Sequence, residues 1–249
     1  MVFKAPDSGA VPRLRVLWKE AFGDSDAFLD TFFETAYAPE RCCVAEDGGE
    51  TVGMVYWFDC LCYDRRVAYI YGLATAQSRR GQGIARALMA RVHALLEERG
   101  HAAVVLVPAQ GLFGLYERLG YRTFGGIETV CCQAGEKTGL HSIDGARYAQ
   151  LRRVLLPDGG VEQPGVSIAF LEKQAQLYAG EGFLLAARLE RDTLLGLELL
   201  GDASAAPGIT AALGAKNGRF RIPGAQPFAM FRPLRRDMPA PSYFGLAFD

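Results

Sequence analysis

The sequence predicts a mixed α/β protein: a first lobe built on a mixed sheet, then a smaller α/β lobe. Three observations carry this. Helical apolar spacing over residues 10–37 gives way to strand-like text from residue 41. A nearly all-apolar segment, 101–108, follows a long amphipathic stretch, as expected when a strand buried on both faces closes a βαβ unit. A polar, glycine-containing stretch, 134–141, then separates this set of elements from another.

Taken in order, residues 10–22 place Val11, Leu14, Val16, Leu17, Ala21 and Phe22 at mostly helical spacing, and Gly23 stops the helix. Asp24 or Ser25 can cap a second helix over about 26–37. RCCVAED and TVGMVYWFDCLCY flank the turn DGGE as a hairpin. Asp64-Arg65 reads as another tight turn, leading into a third strand at 65–75. A third helix starts near Gly81, carries Ile84, Leu88, Val92, Leu95 and Leu96 on one stripe, and ends at Gly100. The strand at 102–107 follows, then a short helix over about 111–119, then strands YRTF and ETVCCQ.

Past the linker, 143–156 and 166–179 read as helices. FLLAARLE and TLLGLELLG read as strands, PGITAALGA as a short helix, and GRFRIP, PFAMFRPL and SYFGLAF as three last strands. The order echoes the first half, a weak internal duplication. The division expected is 1–133 and 134–249.

Composition narrows the function. The 249 residues carry 27 Lys and Arg against 28 Asp and Glu, a net charge of −1, which argues against a general nucleic-acid binder. No apolar run approaches a membrane span, and no signal-peptide pattern opens the chain, so a cytoplasmic protein with no membrane partner is expected. The six cysteines form two adjacent pairs and one C-x-C, without metal-site spacing. They read as reduced and buried, and no metal is expected.

The chemistry concentrates at YGLATAQSRRGQGIARALMA, residues 71–90. Here a strand feeds a helix whose first N–H groups lack intrahelical partners, an arrangement that favours a phosphate. A Walker loop is excluded, because no Gly-Lys-Ser/Thr ends the turn. A dinucleotide fingerprint is excluded, because Arg86 stands at its third glycine. The pattern R-x-x-G-x-A is met by Arg80, Gly83 and Ala85. Downstream, LVPAQGLFGLYERLGYR carries Tyr116 shortly before Gly120-Tyr121. In these two motifs the sequence resembles the GNAT superfamily of acetyl-CoA-dependent N-acetyltransferases, over about residues 3–130. The resemblance implies a GNAT fold for the first lobe and a degenerate GNAT-like second lobe.

The resemblance also implies roles. The backbone of Leu73, Ala74 and Thr75 would pair with the pantetheine arm of acetyl-CoA. Arg79, Arg80 and the turn Gly81, Gln82, Gly83, Ile84 and Ala85 would hold the pyrophosphate. Tyr116 would protonate the departing sulfur. Its ordinary pKa near ~10 keeps it protonated beside a thiol of ~8.5, and such a role is worth about 10²-fold.

The acceptor would be a primary amine on a small molecule or peptide. An alkylammonium must lose its proton before it attacks, and many relatives place a carboxylate on the strand for this. Here Tyr69, Tyr71 and Gly72 stand instead. Two substitutes are Tyr71, relaying a proton through water, and the carboxylates of Asp249. The latter resembles tandem-GNAT aminoglycoside acetyltransferases of the enhanced-intracellular-survival type. An aminoglycoside or polyamine enzyme of that kind, or a non-catalytic acyl-CoA sensor, stays open beside the general reading. The second half lacks R-x-x-G-x-A and is expected to wall the acceptor pocket rather than bind coenzyme. A monomer or homodimer is expected.

Overall fold

The computed structural model describes residues 1–248. The first half runs β1 (Val2–Lys4), α1 (Val11–Phe22), α2 (Asp26–Thr35), β2 (Cys42–Asp47), β3 (Glu50–Cys62), β4 (Arg65–Thr75), α3 (Ile84–Glu98), β5 (Ala103–Leu106), α4 (Phe113–Arg118) and β6 (Arg122–Gln133). The second runs β7 (Leu140–Ser142), α5 (Gly145–Leu155), α6 (Val166–Gln174), β8 (Gln176–Gly180), β9 (Phe183–Glu190), β10 (Thr193–Gly201), α7 (Ala206–Ala212), β11 (Asn217–Pro223) and β12 (Gln226–Pro233).

Local chemistry sets the boundaries. Gly23 closes α1 in the left-handed region, and the Ser25 hydroxyl caps α2 by accepting from the Phe28 N–H. The β2–β3 hairpin turns on Gly48 and Gly49, both at positive φ. The β3–β4 turn falls on Tyr63 and Asp64, one residue earlier than expected, because Cys62 pairs with Arg65. Gly83, not Gly81, is the N-cap of α3.

All twelve strands form one sheet, ordered β1-β2-β3-β4-β5-β12-β6-β11-β10-β9-β8-β7. The duplication is plain in it. β1 to β5 lie side by side with β4 and β5 parallel, and β7 to β11 do the same with β10 and β11 parallel. The sixth strands are exchanged. β12 lies against β5, β6 lies against β11, and the two meet each other at the centre. The sheet is therefore continuous across residue 134.

Side chains alternate across it. From β3, Met54, Tyr56, Phe58, Cys60 and Cys62 join a core with α1, α2, α5, α6 and the last residues of the chain. Val52, Val55 and Trp57 join a second core under α3 and α4. A third core lies under α7. The first core spans both halves, with Phe170 of α6 packed edge-on to Phe28 and Phe32 of α2.

Several expectations are corrected. The helix expected to 179 stops at Gln174, and Gln176–Gly180 is a strand. Leu177 and Ala179 are buried there by pairing with β9, which overrides a run that reads equally well as helix. SYFGLAF is no ladder strand. Both edges of β12 are already taken, so this segment crosses the core and makes one bridge, Tyr243 to Gly160. YRTF and ETVCCQ form one strand through Gly125-Gly126. A Cβ at Gly126 would lie 2.0 Å from the Gly224 carbonyl oxygen, so only glycine admits that close crossing. β1 and β7, three residues each, lie outside the expected elements, and β7 ends the stretch read as linker. Cys131 is exposed, whereas Cys42, Cys43, Cys60 and Cys62 are buried.

The second half holds a buried ion pair. Arg152 of α5 donates from Nε and Nη2 to both carboxylate oxygens of Glu198 on β10, at 2.6 and 3.0 Å. The Tyr148 and Tyr243 hydroxyls each donate to Glu198 at 3.2 Å. Burial works against the Arg152 charge, but Glu198 holds the guanidinium pKa above its ordinary value. The substitution Arg152→Met leaves the Glu198 charge buried without its cation. It is expected to lower the unfolding free energy by about 3–5 kcal/mol. Adding Glu198→Leu should recover most of that loss, as read by guanidinium unfolding.

Candidate active site

β4 and β5 run parallel for three residue pairs, ending at Tyr69 and Val105. Beyond these the strands part. A bulge on β4, where Gly72 and Leu73 oppose the single β3 residue Val55, shifts the register, and Gly72 takes φ +61° within it. A Cβ on Gly72 would stand 2.9 Å from the rings of Trp18 and Tyr56, so positive φ and crowding both demand glycine.

A cavity of about 580 Å³ opens where the strands diverge. Leu73, Leu106, Pro108 and Tyr116 line the side between β4, β5 and α4. Trp18, Phe28, Tyr69 and Tyr71 line the side toward α1 and α2. Gln174, Arg188, Leu197 and Phe248 close it from the second half.

Tyr116 sits on α4, with its ring edge-on to Tyr121 at 5.6 Å. Burial pushes its pKa up to about 12, so the phenol holds its proton at neutral pH. The Tyr71 hydroxyl donates to the Phe248 carbonyl at 2.7 Å, which orients the oxygen as an acceptor toward a further partner. Asp249 lies outside the described residues.

The strand-to-helix turn is open. Gly81 and Gly83 take φ +77° and +79°, and an added Cβ at either would meet nothing within 4 Å. α3 has no side-chain cap and no acidic residue in its first turn. Its leading N–H groups and the positive end of its dipole therefore face that open space. The side chains of the turn differ in their commitments. Arg79 donates to Asp47 at 2.5 Å and to Gln82 at 3.1 Å, so its charge is already matched on β2. Arg80 is exposed and bonds only lightly to the Thr75 carbonyl, at 3.3 Å. Ile84 is buried, and Ala74 lies within the core. Leu73 and Tyr116 share the cavity wall; the turn lies at the head of α3, apart from that lining.

The second half is expected to wall a pocket, but composition and motif spacing do not mark which of its residues reach this cavity. Gln174, Arg188 and Leu197 belong to no motif, and only their place in the sheet brings them to the cavity. Among the acidic residues of the first two helices, Asp26 and Asp30 pair with Arg15, and Glu20 accepts from the Gln77 N–H. Asp24 alone of this group lines the cavity, where it accepts from the Trp18 indole N–H at 2.8 Å. The aromatic run divides likewise. Phe22 and Phe28 line the cavity, while Phe32 is buried beneath it. Among the described residues, no group of three or more His, Cys, Asp or Glu side chains is placed to hold a metal ion, and no helix is long and apolar enough to cross a membrane.

Residues 3–124 match the family model described as the acetyltransferase (GNAT) domain. No curated protein sequence matches the chain. Among solved structures, a GCN5-related N-acetyltransferase from Kribbella flavida is similar at 17% identity and TM-score 0.70, over 93% of this chain and 70% of that one. Eis1 from Mycobacterium abscessus is similar at 15% identity and TM-score 0.70, over 94% and 74%. A candidate acetyltransferase from Pyrococcus horikoshii is similar at 15% identity and TM-score 0.68, over 98% and 92%. At these identities the likeness is one of fold, and it extends through both halves.

One titratable group stands behind Tyr116. His93 of α3 shares a 2.7 Å hydrogen bond with the Tyr121 hydroxyl. Burial, and secondarily Arg232, push its pKa down to about 4, against about 6.5 in an unfolded chain. Above pH 6.5 both states are neutral there. Below it the unfolded chain takes a proton that the folded one refuses, so stability falls as pH falls toward 4. His93→Gln is expected to flatten that slope by an amount of the order of 2–3 kcal/mol, measured by urea unfolding at pH 7 and pH 4.5.

Proposed function

We propose that this chain, whose residues 3–124 match the acetyltransferase (GNAT) domain family, is an enzyme of that family and transfers the acetyl group of acetyl-CoA to a primary amine. One observation carries the reading. A buried, protonated Tyr116 and the unpaired edge of β4 line the same cavity.

The residues fit the donor. The glycine turn at 81–83 leaves open space at the uncapped start of α3, where a pyrophosphate would meet backbone N–H groups with Arg80 beside it. The edge of Leu73, Ala74 and Thr75 is free of β5 and would take an extended pantetheine arm as an added strand. An N–H of that edge would bind the carbonyl oxygen as it gains negative charge. Acetyl-CoA supplies the activated thioester carbonyl.

The acceptor must attack as a neutral amine. For an alkylammonium of pKa ~10.4, losing the proton at pH 7 costs about 4–5 kcal/mol. Tyr71, oriented by the Phe248 carbonyl, would accept a hydrogen bond from a water that carries the proton away. The new N–C bond forms as the C–S bond breaks. The nitrogen, once bonded to the acetyl carbon, becomes acidic and gives up a second proton. Tyr116 would deliver a proton to the sulfur and regain that one. A phenol of pKa about 12 is too weak to protonate a thiolate and remain charged, so its role is a relay coupled to the nitrogen.

The two lobes of the sequence division, 1–133 and 134–249, act together in this reading. The second lobe is not a second coenzyme site. Its equivalent of the phosphate turn carries Asp202, which accepts from the Ser204 N–H, and the start of the short α7 is covered by Gly135 and Thr138. Its part is to wall the acceptor cavity.

Thiol release from acetyl-CoA over a panel of primary amines tests the function. Tyr116→Phe is expected to lower kcat by about 10²-fold while leaving the acetyl-CoA Kd, measured by calorimetry, within twofold. Equal turnover by the variant refutes the relay. Binding of acetyl-CoA with no release for any amine favours a sensor.

A further inference from the structure

The geometry points to an acceptor with a single ammonium group on an apolar, aromatic body, held by Asp24, in preference to a polycation. This rests on the acetyltransferase reading for the reaction but on the cavity alone for the recognition.

The passage into the cavity is apolar from its rim inward. Phe22 and Leu112 both line it and are 47% and 41% exposed. Farther in, Phe28 and Phe248 face Trp18 and Tyr71. These last two rings lie 5.6 Å apart and tilted, so they present faces and edges rather than a flat slab. A planar hydrocarbon body buries well against such a wall, and a cation gains further from the ring faces.

Asp24 supplies the charge. Its side chain is fixed by the Trp18 indole N–H at 2.8 Å, and its backbone by the loop between α1 and α2. One carboxylate oxygen is thus occupied, and the group is held in register with the aromatic wall. No basic side chain is paired with it among the described contacts, in contrast to Asp26 and Asp30. An ammonium entering past Phe22 meets this carboxylate.

The far wall answers a second positive charge differently. The second half presents Leu197, Ala247, Phe248, the amide of Gln174 and the guanidinium of Arg188. Arg188 is paired at 2.8 Å with Glu190, two residues along on β9, so its charge is matched there and its guanidinium offers no acceptor to a cation. A second ammonium would lose its water against leucine and phenylalanine, beside a guanidinium and an amide. Discrimination here is built by dehydration as much as by attraction.

The test compares three amines in the thiol-release assay: phenethylamine, ethanolamine and spermidine. Phenethylamine is expected to show a kcat/KM at least tenfold above each of the others. Asp24→Asn should lower that kcat/KM at least tenfold, chiefly through KM, while the acetyl-CoA Kd is unchanged. Arg188→Ala, which leaves the Glu190 carboxylate without its cation, should raise the spermidine kcat/KM several-fold without improving ethanolamine. Spermidine used as well as phenethylamine by the wild type overturns the inference, and so does an Asp24→Asn variant with wild-type constants. Calorimetry with phenethylamine separates the two levels. Binding that Asp24→Asn weakens, without thiol release, supports the recognition and sinks the acetyl transfer. Turnover confined to spermidine keeps the transfer and sinks the recognition. Neither binding nor release sinks both.

Discussion

The architecture depends on the buried pair of Arg152 and Glu198. An isolated carboxylate in that interior would cost several kcal/mol, yet Glu198 accepts from Arg152 twice and from two tyrosines. The same guanidinium donates to the Val161 carbonyl and to Gln163, and Gln163 passes the connection to the Leu246 carbonyl at 2.7 Å. The last residues of the chain are thereby fixed from two directions, at Tyr243 and at Leu246. Phe248 then accepts from Tyr71 in the cavity. Hydrogen bonds, joined by the backbone from Leu246 to Phe248, thus connect the core of the second half to the cavity wall of the first. Removing one member leaves others buried and unsatisfied, which is why the network acts as a unit.

The exchange of sixth strands has the complementary effect on the backbone. With β12 held between β5 and β6, neither half closes its own sheet. The halves cannot slide without breaking ladders on both sides of the centre. That rigidity matters because the cavity is a defect in pairing. β4 and β5 separate after three pairs, and the open edge survives only because the rest of the sheet is continuous. The bulge and Gly72 bend β4 at that point. In the second half the matching strand β10 also carries a bulge, between Gly196 and Glu198. There the space is filled, since a Cβ at Gly196 would lie 2.4 Å from the Phe220 ring. The same bulged-strand geometry serves as an opening in one half and as packed core in the other.

The parts of this protein fixed by short-range chemistry were legible in its residues. The R-x-x-G-x-A turn needs glycines at positive φ and an uncapped helix start, and both are local requirements that leave a local pattern. The long strands β3, β4, β9 and β10 announce themselves by apolar runs between turn residues, and Tyr116 by its place between a short helix and Gly120-Tyr121. The amphipathic stripe of α3 fixed which face it buries. Even the duplication was visible in the order of elements, although no motif repeats.

What the tertiary structure alone decided follows from contacts between residues far apart in the chain. Gln176–Gly180 became a strand because β9 was there to pair with it, and the segment Ser242–Phe248 became a strap because β12 already had two neighbours. Asp24 differs from Asp26 only in what surrounds it: a free direction into the cavity against a ring of Arg15 and Lys19. Arg188 and Leu197 reach the cavity across the exchanged sheet, and nothing in their own neighbourhood in the sequence marks them. Local pattern determines backbone conformation because it acts over a few residues. The shape and charge of a cavity arise where distant segments converge, so in this protein the sequence determined the glycine turn at the head of α3 and only the fold decided the cavity wall.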